Sequence, residues 1–118
     1  MKHSFIRRIE ELSSWKDNWD GHGSLKPKMK SIANARSWAM KINALILKLE
    51  PTFISADAEG NVVLEWWRKN KYLSLDVSEK YAYFLQSIDG SKIKKIRYGI
   101  KGNLTNKNLL SVFKWLTI

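Results

Sequence analysis

The sequence predicts an α+β fold: two N-terminal helices, a four- to five-stranded antiparallel meander and a C-terminal helix, with the helices mainly on one sheet face. Three observations carry this. Apolar residues recur at spacings of three and four from Phe5 to Trp19 and again from Ile32 to Leu49, which marks two amphipathic helices. Between Thr52 and Ile88, short runs rich in β-branched and aromatic residues alternate with turn clusters, and connections that short favour antiparallel neighbours. At 118 residues the chain has material for one core, so residues 1–118 are expected to form a single compact domain.

The first helix is expected from Ser4, a cap, to about Trp19, with Phe5, Ile9, Leu12, Trp15 and Trp19 along one stripe. Asp20-Gly21-His22-Gly23 stops it, because two glycines permit positive φ. Pro27 suits the first turn of the second helix, where its missing N–H costs nothing. That helix is expected from Lys28 to Leu49, with Ile32, Ala35, Ala39, Ile42, Ile46 and Leu49 on one face and Trp38, Leu45 and Leu47 widening it. Glu50-Pro51 ends it, since a residue before proline avoids the helical region.

Thr52–Ala56 then reads as a strand, followed by a hairpin turn at Asp57–Asn61 with glycine late in the loop. Val62–Arg68, Tyr72–Val77 and Tyr81–Ile88 follow as strands, separated by turns at Lys69–Lys71 and Ser78–Lys80. Leu73, Leu75 and Val77 alternate with Tyr72, Ser74 and Asp76, so the third strand should have one buried and one wetter face. After Asp89-Gly90-Ser91, Lys92–Tyr98 reads as a fifth, edge strand, its lysines guarding the edge. Thr105 is the expected N-cap of a last helix from Asn106 to about Leu116, with Leu109, Phe113 and Leu116 on its inner face.

Composition narrows the chemistry. With no cysteine, disulfides, thiol nucleophiles and Cys-ligated zinc are all excluded. No apolar run is long enough to span a bilayer, and no signal region precedes Glu10 and Glu11, so a soluble cytoplasmic protein with no membrane partner is expected. Twenty-one Lys and Arg oppose eleven Asp and Glu, for a net charge of +10. The basic residues cluster. Gly21–Leu49 and the chain beyond Asp89 carry no acidic residue at all. Such one-signed regions favour a polyanion, although lysine-rich surfaces also serve solubility alone.

Trp19-Asp20-Gly21-His22-Gly23, a proline entering a helix, and Gly60-Asn61-Val62-Val63-Leu64-Glu65-Trp66 stand in order along the chain. Between about Leu12 and Tyr83 the sequence resembles a family of small bacterial proteins with a W-D-G-x-G turn and a G-x-V-x-L-E-W hairpin. The resemblance implies this layout and no activity. Ser24 stands where such proteins often carry alanine, and Lys28-Met29-Lys30 is more basic than their helix.

Four constellations are candidates for function. Asp20 and His22 offer a carboxylate and an imidazole two residues apart, the pieces of an acid–base pair; the structural alternative is a turn in which Asp20 accepts local N–H groups. Glu65, in an otherwise apolar strand, joins them as a catalytic candidate if it meets Asp20 or Asp76 in one cleft, and otherwise is exposed on the polar face or pairs with a lysine such as Lys71 or Lys80. Trp66, Trp67, Arg68, Lys69, Lys71 and Tyr72, beside Tyr81 and Tyr83, combine aromatics with cations, as platforms for unpaired bases do. Neighbours in a strand face opposite ways, so one of Trp66 and Trp67 should be buried. The same patch would also suit a homodimer, a protein partner, or cover by the last helix. Lys92, Lys94, Lys95 and Arg97 form a row suited to phosphates or simply to solvent.

These features predict a non-enzymatic binding module for an acidic macromolecular partner, nucleic acid or a nucleoprotein complex, in a regulatory, defence or counter-defence setting in a bacterium or phage. No cofactor and no metal site are expected. Two alternatives stay open: a protein-interaction or homodimerising module whose charge aids solubility, and a small enzyme using Asp20, His22 and Glu65.

Overall fold

A computed structural model describes residues 4–45, 49–99 and 106–117. Three helices and a five-stranded antiparallel sheet make an α+β fold. Helix α1 spans Ser4–Glu11 and continues into a 3₁₀ turn at Leu12–Ser14; α2 spans Met29–Leu45. Strands β1 (Phe53–Ala56), β2 (Val62–Arg68), β3 (Lys71–Val77), β4 (Tyr81–Ile88) and β5 (Ser91–Gly99) lie side by side in chain order, and α3 (Asn106–Thr117) closes the chain.

The first helix is shorter than its apolar stripe. Ser13 and Ser14 favour caps and turns over helix interiors, Ser14 Oγ donates to the Glu11 carbonyl, and Trp15 turns extended at ψ 148°. Trp15 and Trp19 keep their helical spacing in sequence, yet they meet in a loop with ring centroids 4.6 Å apart. The second helix was expected to reach Leu49. It is described to Leu45, and Leu49 lies outside the helix, partly buried against the core. The expected Ile46 and Leu47 positions and the Thr105 cap lie outside the described residues.

Strand alternation builds the core. Val62, Leu64 and Trp66 of β2, Leu73, Leu75 and Val77 of β3, and Ala82 and Phe84 of β4 share one sheet face and one buried cluster with Phe5, Ile9, Ile32, Trp38, Ile42 and Phe113 from the helices. Edge-to-face contacts join the layers: Trp38 to Phe84 at 5.7 Å and Trp66 to Phe113 at 4.9 Å. Asn34 on α2 donates to the Ser78 and Glu79 carbonyls, tying the helix to the β3–β4 turn.

The glycine-rich loop before α2 docks on the β1–β2 hairpin. Leu25 N–H donates to the Ala58 carbonyl and Lys28 N–H to the Gly60 carbonyl, each at 2.9 Å. At Gly60, φ is +86° and a Cβ would stand 2.7 Å from the Lys26 carbonyl oxygen. Only glycine admits that approach. The segment Leu25–Lys28, which follows the W-D-G-x-G turn, thus packs against the hairpin that carries Gly60.

Candidate partner interface on the second sheet face

The other face of the sheet is read off the pairing register, since directly paired residues share a face. One row runs Trp67, Tyr72, Ser87, Lys92 across β2 to β5. The next runs Phe53, Glu65, Ser74, Leu85, Lys95, and a third Ser55, Val63, Asp76, Tyr83, Arg97. On this face Phe53, Trp67 and Tyr81 are 55%, 52% and 39% exposed, while Ser74 and Ser87 in its middle are buried. Its centre is acidic and aromatic; its β5 side is basic.

Trp67 stands against Tyr72 with ring centroids 4.5 Å apart. Its backbone N–H donates to Thr52 Oγ1, which fixes the strand beneath it. Tyr72 Oη donates to Glu65 Oε2 at 2.6 Å. Burial first, and then the Glu65 carboxylate, hold the Tyr72 phenol protonated well above its ordinary value. The Trp67–Tyr72 pair is therefore held in place before any partner arrives.

The structure divides the predicted aromatic–basic group. Trp66, a predicted contact residue, is instead a core residue: it is 2% exposed and its indole N–H donates to the Leu49 carbonyl. Lys71 also faces the helix side, where its ammonium donates to the Trp115 carbonyl at 2.8 Å and lies 5.4 Å from the Trp115 ring. It fastens the end of α3 to the sheet. Arg68, a predicted contact residue at the end of β2, is exposed but pairs with Lys71 and so falls on the helix side, while Lys69 is exposed in the β2–β3 turn at φ +57°. That turn meets the β4–β5 turn, since Asp89 N–H donates to the Asn70 carbonyl, so the two turns lie together at the Trp67–Tyr72 end of the sheet.

On β5, Ser87 pairs with Lys92 and Gln86 with Lys94, so Ile93 is the extra residue of a β-bulge. Lys92 and Lys95 fall on the second face, while Lys94 opposite buried Gln86 falls on the helix side. Lys95 Nζ lies 4.8 Å from the Tyr83 ring centroid. Arg97 pairs with Tyr83 in register; its side chain lies outside the described set.

Asp20, His22 and Glu65 occupy separate settings. Asp20 Oδ1 accepts from His22 N–H and Ser24 N–H, and Oδ2 accepts from Ser24 Oγ. The Ser24 hydroxyl, followed by His22 N–H, holds the Asp20 carboxyl below its ordinary value. Asp20 and His22 thus meet through a backbone N–H in an Asx-type turn, and Glu65 is engaged with Tyr72. Glu65 does share its face with Asp76. Burial raises the Asp76 carboxyl above the ordinary range; the Ser74 hydroxyl pulls it back, and the charges of Asp57 and Glu65 push it further up.

Sequence reasoning did not single out Phe53, and it named Asp76 only as a possible companion of Glu65 and a member of the wetter side of the third strand. Their signal was alternation relative to Ile54 and to Leu75 and Val77, which needs the register before it names a face. Among the described residues no three His, Cys, Asp or Glu side chains are grouped to hold a metal ion, and no helix is long and apolar enough to cross a membrane. Comparison with protein-family models, with curated proteins and with solved structures returns no match in any of the three.

Proposed function

We propose that this protein is a non-enzymatic, cytoplasmic binding module that engages single-stranded nucleic acid across the second face of its sheet. The observation that carries the proposal is the row Trp67–Tyr72–Ser87–Lys92, in which a half-exposed indole and a hydrogen-bonded phenol lie in line with a lysine. Bases stack on such rings with little regard to sequence, each stack worth about 1–3 kcal/mol. The distribution of charge supports the orientation. Glu65 and Asp76 at the centre repel phosphates and accept base N–H groups, while Lys92 and Lys95 along β5 attract the backbone.

Fluorescence anisotropy with labelled single-stranded and duplex DNA and RNA, at low and physiological salt, tests this. Binding that persists at physiological salt and prefers single strands supports it. Binding at low salt alone, equal for all ligands, reduces the charge to a surface property.

A second reading is a homodimer or protein complex through the same face, favoured by the exposure of Phe53 beside Trp67. Salt-insensitive self-association in sedimentation, lost in Phe53→Ser, would select it.

A further inference from the structure

At the far end of the same face from Trp67, a cavity of about 290 Å³ is lined by Asp57, Asn61, Asp76, Ser78, Tyr83 and Lys95. That volume is close to the lower edge of small-ligand sites, roughly 300 Å³. Most of its polar lining is engaged within its own turns. Asp57 accepts from Glu59 N–H and Asn61 N–H on one oxygen and from the Asn61 side-chain amide on the other. Ser78 Oγ donates to the Tyr81 carbonyl and accepts from Lys80 N–H and Tyr81 N–H. Asp76 differs: its Oδ1 is buried and has no hydrogen-bond partner. A buried acceptor left unmade is costly, and Tyr83, directly paired with Asp76 across β3–β4, supplies a ring beside it.

We propose that this cavity is a guanine subsite of the nucleic-acid surface, in which the Asp76 carboxylate accepts the ring N–H and exocyclic amino group of the base. The inference rests on the nucleic-acid reading and gives it base preference. Of the common bases, only guanine turns two adjacent N–H donors to one edge, a spacing that a carboxylate matches. Adenine sets an acceptor beside its amino group, and uracil or thymine flanks its one N–H with two carbonyls, which a carboxylate repels. The ring stacks on Tyr83 in place of the Lys95 ammonium, and Lys95, which is exposed, swings to the phosphate. Asp76 lies four residues from Tyr72 along β3, about 13 Å at the strand rise. One strand can therefore stack at Trp67 and present a nearby base to Asp76.

The test uses the native chain and thymine decamers that carry one central guanine, hypoxanthine or adenine. Hypoxanthine keeps the ring N–H and lacks the amino group. The guanine decamer is expected to bind about tenfold tighter than the hypoxanthine one, the effect of one hydrogen bond to a charged acceptor, with adenine weaker still. Asp76→Asn should abolish the guanine advantage, and an unchanged circular-dichroism spectrum reports that the variant is folded. Equal affinity for all three decamers, or a guanine preference that survives Asp76→Asn, overturns the subsite and leaves the broader reading standing. Failure of every decamer to bind overturns both.

Discussion

Trp66 and Trp67 are adjacent in the chain and face opposite ways in the fold: Trp66 is 2% exposed and packs edge-to-face on Phe113, while Trp67 is 52% exposed and packs against Tyr72. The two-residue period of β2 alone separates them. Trp66→Ala should cost about 3–5 kcal/mol, as large-to-small core changes do. Trp67→Ala should change stability by about 0.5 kcal/mol or less, as for surface changes. Urea denaturation of both variants checks this, and similar losses for the two would refute the assignment of faces.

The loop–hairpin junction gives a second prediction. Alanine at Gly60 must adopt φ +86° and also place its Cβ against the Lys26 carbonyl, whereas alanine at Gly23, φ +81°, meets nothing within 4 Å. Gly23→Ala should cost roughly 1 kcal/mol of backbone strain, and Gly60→Ala clearly more. Thermal melts that rank them the other way would show that the loop does not dock there in solution.

Two carboxylates should give opposite pH signatures. Asp20 is held below its ordinary 3.8 by the Ser24 hydroxyl and His22 N–H, so its contribution is present above that pH and is lost as pH falls through the lowered value. Asp76 is raised above 3.8, chiefly by burial, so the folded state holds its proton longer and stability falls as pH rises from 3.8 through the raised value. Asp20→Asn should lower the melting temperature at neutral pH and narrow the gap to wild type in acid. Asp76→Asn should raise it at neutral pH. A melting-temperature profile across pH 3–7 decides both signs.

The lysines of β5 should separate by face. Lys92→Gln with Lys95→Gln should weaken oligonucleotide binding and flatten its salt dependence, because both lie on the second face. Lys94→Gln, on the helix side, should do so far less. Equal effects would mean that the strand acts through charge alone.

Much of the fold was legible because periodicity records burial. Leu73, Leu75 and Val77 are buried as read and the Asp57–Asn61 turn forms, although Ser74, expected on the wetter side of the third strand, is buried as well. The fifth strand also forms, and α2 buries the expected Ile32, Ala35, Ala39 and Ile42. The stripe through Trp15 and Trp19 misled, because large aromatics can bury themselves from a loop by packing on each other. The candidate site was half legible. Sequence showed that one of two tryptophans must face outward, but not which. It could not reveal that Lys71 is spent on the Trp115 carbonyl, since that contact joins residues 44 apart in the chain. Asp76 acquires its character only when Val63 and Tyr83 flank it across the sheet.

The most direct measurement is the affinity of native protein and Trp67→Ala for a labelled single-stranded thymine decamer at physiological salt. If Trp67 anchors the strand, native protein binds and the variant loses about tenfold or more, the worth of one base stack, with its melting temperature unchanged. Native protein that does not bind at that salt, or a variant that binds as tightly as the native chain, would contradict the assignment of the second sheet face as a nucleic-acid surface.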